Sequence, residues 1–136
     1  MARSAPTSSP LEAQRLLLTA AALYDGVLGL VFLVLFRPLL GLLGVAVPEN
    51  PIYLQLAAGC IALFGLGFWW AAQRPVRNLD LVRLGTGLKV FFVCLAAYAA
   101  AVGLLPHPLF LVLALLDALF VVGVVVLWRD MPKPRD

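Results

Sequence analysis

An ammonium group in the middle of an apolar run constrains this chain more than any other feature. The stretch Leu79 to Gly103, LDLVRLGTGLKVFFVCLAAYAAAVG, is long and apolar enough to cross a bilayer, yet Lys89 lies well inside it. A charge at the centre of the hydrocarbon costs about 2.5–3.5 kcal/mol on insertion scales, so such groups face the bundle interior and pair with one another. Two further apolar runs hold one carboxylate each, Asp25 and Asp117. The chain therefore reads as a small membrane bundle with an Asp/Lys/Asp cluster at its centre.

Composition supports this class. The 136 residues are 63% hydrophobic and 12% charged, where soluble domains carry about 25% charged residues. The net charge of +3 does not point to nucleic acid, because no basic stripe with interleaved aromatics exists. Cys60 and Cys94 each sit inside an apolar run. That spacing is neither a zinc site nor a disulfide scaffold, and both are expected as small buried apolar residues. No metal or cofactor motif is present.

Four spans are expected, at about residues 16–36, 52–72, 84–104 and 108–128, giving an all-α, integral membrane four-helix bundle over residues 10–129. Residues 1–9 read as a disordered tail and 130–136 as a short polar tail. Ser9-Pro10-Leu11-Glu12 has the pattern of a capping box with proline in the first helical position. The first run is as long as a full span, contains Asp25 and is followed by Arg37-Pro38, which argues against a cleaved signal peptide and predicts the end of that helix. Leu39 to Val47 is apolar but too short to span, so it reads as an interfacial or re-entrant segment. Asn50 and Pro51 suit the start of the second span. That span ends in Phe68-Trp69-Trp70, an aromatic group suited to the headgroup region, and carries Ala58, Ala62 and Gly65 on one side, where helices can approach closely. The tight turn of residues 74–78 makes the second and third spans antiparallel neighbours, with Asn78 as a cap. Around Lys89, the residues Gly85, Thr86, Phe92, Val93, Ala96 and Ala100 share one helix face. Gly103 and Pro106 end the third span and Pro108 opens the fourth.

Four spans place both termini on one side. Arg3, Arg15, Arg74, Arg77, Arg83, Arg129, Lys133 and Arg135 fall there, against Arg37 alone on the other. The positive-inside rule then makes both termini cytoplasmic, in a cell (inner) membrane. At about 1.5 Å of rise per residue, Asp25 lies roughly 15 Å, Lys89 about 9 Å and Asp117 about 18 Å from the nearest cytoplasmic-side arginine of its helix. A lysine stem of about 6 Å narrows the difference.

Two readings of Lys89 stay open: snorkelling alone toward the interface, or an internal cluster with Asp25, Asp117 or both. In the cluster reading one negative charge is left over, and one carboxylate is expected to carry a proton. Tyr24, Thr86, Gln55 and Tyr98 are the supporting polar groups, although Tyr24 points away from Asp25 on an ideal helix. His107, between two prolines, reads as an incidental loop residue. There is no phosphate loop, nucleophile elbow or acid–base pair at catalytic spacing.

The segments YDGVLGLVFL (24–33), PENPIYLQLAAG (48–59), GTGLKVFF (85–92) and LLDALF (115–120) together sample all four spans. Their pattern resembles the small bacterial four-helix membrane proteins grouped as DoxX-like. Some members of such groups are linked to respiratory or thiol redox chemistry. This chain has no C-x-x-C motif, so the resemblance does not imply that activity here. The leading functional expectation is a non-enzymatic accessory subunit or a small hydrophobic ligand-binding module. The alternatives are a dimeric proton-coupled transporter using Asp25 and a membrane enzyme using the charge cluster. The lipid bilayer is the implied partner, with a larger membrane complex or a homodimer as further candidates.

Overall fold

The computed structural model describes residues 9–129, so the two expected tails, apart from Ser9, lie outside the described residues. Five helices follow in order: α1 (Pro10–Val34), α2 (Phe36–Leu42), α3 (Ile52–Gln73), α4 (Leu79–Ala101) and α5 (Leu109–Arg129). Among the described residues there is no strand. The four long helices are each long and apolar enough to cross a membrane. Their outward side chains are apolar too: Leu16, Val34, Leu63, Phe91 and Leu115 each expose more than half of their surface. Water does not tolerate an apolar surface this continuous. The chain is a multi-pass, all-α membrane protein.

Helix ends follow from local chemistry. The capping box forms: the Ser9 hydroxyl accepts from the Glu12 N–H at 3.4 Å, and the Glu12 carboxylate accepts from the Ser9 N–H at 3.1 Å. Arg37-Pro38 does not end the first helix as expected. The break comes earlier, at Leu35 (φ −107°, ψ 20°). Proline at 38 lacks the N–H that would bond the Val34 carbonyl, and its ring crowds that carbonyl. The chain therefore kinks one turn ahead of the proline and restarts as α2, with Pro38 in its first turn. The short non-spanning segment is thus helical in its first part. Gly44 (φ +66°) then takes the left-handed conformation that closes it, with Val45 N–H bonded to Leu40 O and Gly44 N–H to Gly41 O. Gly103 (φ +72°) ends α4 in the same way, a Schellman motif at both places.

Other caps differ from expectation. Asn78 holds the N-cap position of α4 without a side-chain cap bond. Its amide donates instead to the Trp70 carbonyl at 3.0 Å, tying the turn to α3. His107, in the loop before α5, accepts from the Leu109 N–H through its Nδ1 at 3.0 Å at the start of that helix. The Asn50 side chain accepts from the Ile52 N–H at 3.2 Å.

Packing joins the helices in the cyclic order α1, α3, α4, α5. The longest contact is α1 against α3, and no Cα atoms of α1 and α4 come within 8 Å of each other among the described residues. The α1–α3 contact rests on small residues. A Cβ on Gly29 would meet the Ala62 backbone nitrogen and lie 2.7 Å from the Ala58 carbonyl oxygen. A Cβ on Gly65 would lie 2.5 Å from the Gly26 nitrogen. In lipid, where apolar burial drives little association, such backbone proximity carries the packing.

The two halves of the bundle differ. Toward the end that holds both termini, α1, α3, α4 and α5 all contribute to one core, with Leu18, Phe68, Ala71, Val82 and Phe120 buried. Toward the α2 end the core of Phe32, Phe36, Leu40 and Ala58 belongs to α1, α2 and α3 alone. The α4–α5 hairpin stands away from it there.

Candidate functional site

Between the two halves lies the charge cluster. Lys89 Nζ donates to Asp25 Oδ1 at 2.8 Å and to Asp117 Oδ1 at 2.7 Å. The three side chains expose 3%, 6% and 10% of their surface, respectively, so the pairing is internal and Lys89 does not snorkel alone. Its position explains its length. α1 and α4 face each other across the bundle diagonal, and only a long side chain reaches from one to the other.

Aromatic rings complete the ammonium's surroundings. The ring centroids of Tyr24, Phe120 and Phe68 lie 5.0, 5.3 and 5.7 Å from Nζ. Their negative π-faces attract a desolvated cation. Phe68 and Phe120 pack edge to face, with centroids 5.1 Å apart and planes at 64°. Gly85, one turn before Lys89, makes room for this, since a Cβ there would collide with the Phe68 ring. The sequence reading put Phe68 with Trp69 and Trp70 in the headgroup region. Instead Phe68 is 2% exposed, while Trp69 and Trp70 are 48% and 54% exposed. Phe68 continues the small-residue face of α3 at a spacing of three from Gly65, and that spacing is the signal that could have identified it.

Above the cluster, in the half where the hairpins diverge, is a cavity of about 400 Å³. Asp25, Lys89 and Asp117 form its floor. α1 contributes Tyr24, Leu28 and Phe32, and α5 contributes Phe110 and Leu113. Its α3–α4 wall includes Ala57, Cys60, Phe91 and Leu95, all four exposed on the outer surface. The cavity therefore opens sideways between α3 and α4, where lipid surrounds the protein. Its walls are apolar apart from the charged floor and Tyr24.

The expected supporting groups divide. Tyr24 lies beside the cluster, because the lysine stem carries Nζ far enough across the bundle to meet its ring. Thr86 does not join, because its hydroxyl donates to the Val82 carbonyl of its own helix at 2.7 Å. Gln55 lies on a separate outer groove with Leu33, Gly59 and Leu63. Tyr98 is 62% exposed. On the Lys89 face, Ala96 is buried but Ala100 is exposed.

Cys60 and Cys94 are both free and exposed rather than buried. In a bilayer an apolar residue satisfies its surroundings equally well facing lipid. One buried polar residue escaped sequence reasoning: Gln14, 1% exposed, whose Nε2 donates to the Leu127 carbonyl at 3.0 Å and links α1 to the end of α5. Among the described residues no group of His, Cys, Asp and Glu is arranged to hold a metal ion.

Comparison with protein families, curated proteins and solved structures finds no match to this chain.

Proposed function

We propose that this protein is a membrane-embedded binding module for a small, largely apolar ligand, with the Asp25–Lys89–Asp117 cluster as the polar anchor at the bottom of its site. The supporting observation is the cavity itself. Its volume falls within the range of small-molecule sites, about 300–1,000 Å³, and it combines apolar walls with a few convergent polar groups, as such sites do. Its sideways opening suits a ligand dissolved in the bilayer. An accessory subunit, the other half of the sequence expectation, needs no such cavity.

The proposal includes a topology. Among the described residues, Arg15, Arg74, Arg77, Arg83 and Arg129 gather at the end of the chain termini and Arg37 at the opposite end. This asymmetry supports cytoplasmic termini in a cell membrane and a cavity in the outer half of the bilayer. The DoxX-like resemblance belongs to the same proposal and supports the helical architecture more than any chemistry.

The testing experiment is native mass spectrometry after gentle extraction from the membrane. A monomer or dimer carrying a small molecule is the expected result. A larger protein assembly without bound small molecule would overturn the binding reading in favour of an accessory subunit. A proton-coupled transporter using Asp25 is the competing activity, and Lys89 weighs against it because an ion-paired carboxylate is a poorer proton carrier. Ligand flux in liposomes that depends on pH and vanishes in Asp25→Asn would reverse that judgement.

A further inference from the structure

The apolar walls would take any hydrophobic body, so the floor decides the head group. Lys89 bonds to one oxygen of each carboxylate, Asp25 Oδ1 and Asp117 Oδ1. Neither Oδ2 has a hydrogen-bond partner among the described residues, and neither is sealed from the surface. Both carboxylates line the cavity. The floor thus brings two carboxylates, each with one oxygen not engaged by Lys89, and the Tyr24 side chain to the cavity. Its formal charge is one negative, since two carboxylates face one ammonium. The walls add the rings of Phe32, Phe91, Phe92 and Phe110.

We infer that the ligand is a single-chain amphiphilic amine, its protonated nitrogen held by Asp25 Oδ2 and Asp117 Oδ2 and its tail in the cavity. This rests on the binding reading above. A second ammonium brings the floor to two anions and two cations, which removes the leftover charge from a low-dielectric site. Charge-assisted hydrogen bonds of this kind are roughly twice as strong as neutral ones, and the aromatic wall favours a cation further. An anionic head would meet two carboxylates. A bilayer phospholipid is a poor occupant, because its head group would have to leave the interface for a mid-helix position and its phosphate would face the same two charges.

The test uses three probes with the same tail: dodecylamine, dodecanol and dodecanoate. They are offered in competition to the full-length protein in lipid nanodiscs, and occupancy is read by native mass spectrometry. The amine should outcompete the alcohol by about ten-fold or more, and dodecanoate should not bind. Asp117→Asn should abolish the preference for amine over dodecanol. Ala57→Trp, which places a large ring in the cavity wall, should reduce binding of both. Equal binding of the three probes, or a preference for dodecanoate, would overturn the head-group inference while leaving a hydrophobic site. If no probe binds, or if Ala57→Trp binds all of them as well as the native chain, the cavity reading falls with it.

Discussion

Replacing Lys89 by methionine tests the organisation of the bundle most directly. The ammonium sits 2.8 and 2.7 Å from two carboxylate oxygens. With an effective dielectric of about 20, each contact corresponds to an attraction of about 6 kcal/mol before desolvation. Holding three ions out of water costs several kcal/mol per ion, so the triad as a whole is close to neutral against an apolar replacement. Removing one member is different. Lys89→Met leaves two buried carboxylates without a counter-charge, and the expected loss is about 3–5 kcal/mol. Asp117→Asn should cost far less, within about 1 kcal/mol, because the amide oxygen still accepts from Lys89 and the surplus negative charge disappears. The triple variant Lys89→Met, Asp25→Leu, Asp117→Leu should return to within about 2 kcal/mol of the native protein. The assay is unfolding by SDS titration in mixed micelles, followed by tryptophan fluorescence and helix content. A Lys89→Met variant as stable as the native chain, or a triple variant as damaged as the single one, would refute the reasoning.

Two further outcomes are expected. Gly29→Val and Gly65→Val drive a side chain into the backbone of the facing helix and should each lose about 1–3 kcal/mol or more in the same titration, whereas Gly67→Ala, with open space around it, should gain up to about 1 kcal/mol from helix propensity. In inside-out vesicles an impermeant maleimide should label Arg77→Cys and not His107→Cys, and the reverse pattern would invert the topology.

Much of this architecture was legible in the residues because hydrocarbon is an unforgiving solvent. Lys89, Asp25 and Asp117 stand out where a charge is costly, and helical rise brings them to similar depth. What it does not give is azimuth. Nothing in the chain says that α1 and α4 are diagonal, so the reach demanded of Lys89 stayed hidden, and with it the role of Tyr24. Cys60, Cys94 and Phe68 failed for a related reason. In water an apolar residue is usually inside, but in lipid apolar character no longer distinguishes interior from surface. Only spacing does, and Ala58, Ala62, Gly65 and Phe68 read as one inward face once they are considered together. The partner face on α1, Gly26 and Gly29, carries the same signal. The break at Leu35 was misplaced because a proline acts on the turn before it.

The cavity was not legible at all, and the way the bundle is joined explains why. α1 and α3 are held by close backbone contact along most of their length, which requires no charge. The α4–α5 hairpin joins them through the four-helix core of the terminal half, and then through the Asp25–Lys89–Asp117 bridge. Beyond that bridge the remaining core draws on α1, α2 and α3 only, so the two hairpins part and the space between them becomes the cavity. The triad is thus both the last tie between the hairpins and the floor of the site. A near-neutral energetic balance suits that double role. A purely apolar layer would hold the helices equally well but would present nothing to a polar head group, whereas the ion triad holds them and lines the cavity with two carboxylates. Weakening it should separate the hairpins first at the α2 end and should disturb ligand binding before the terminal half of the bundle loosens.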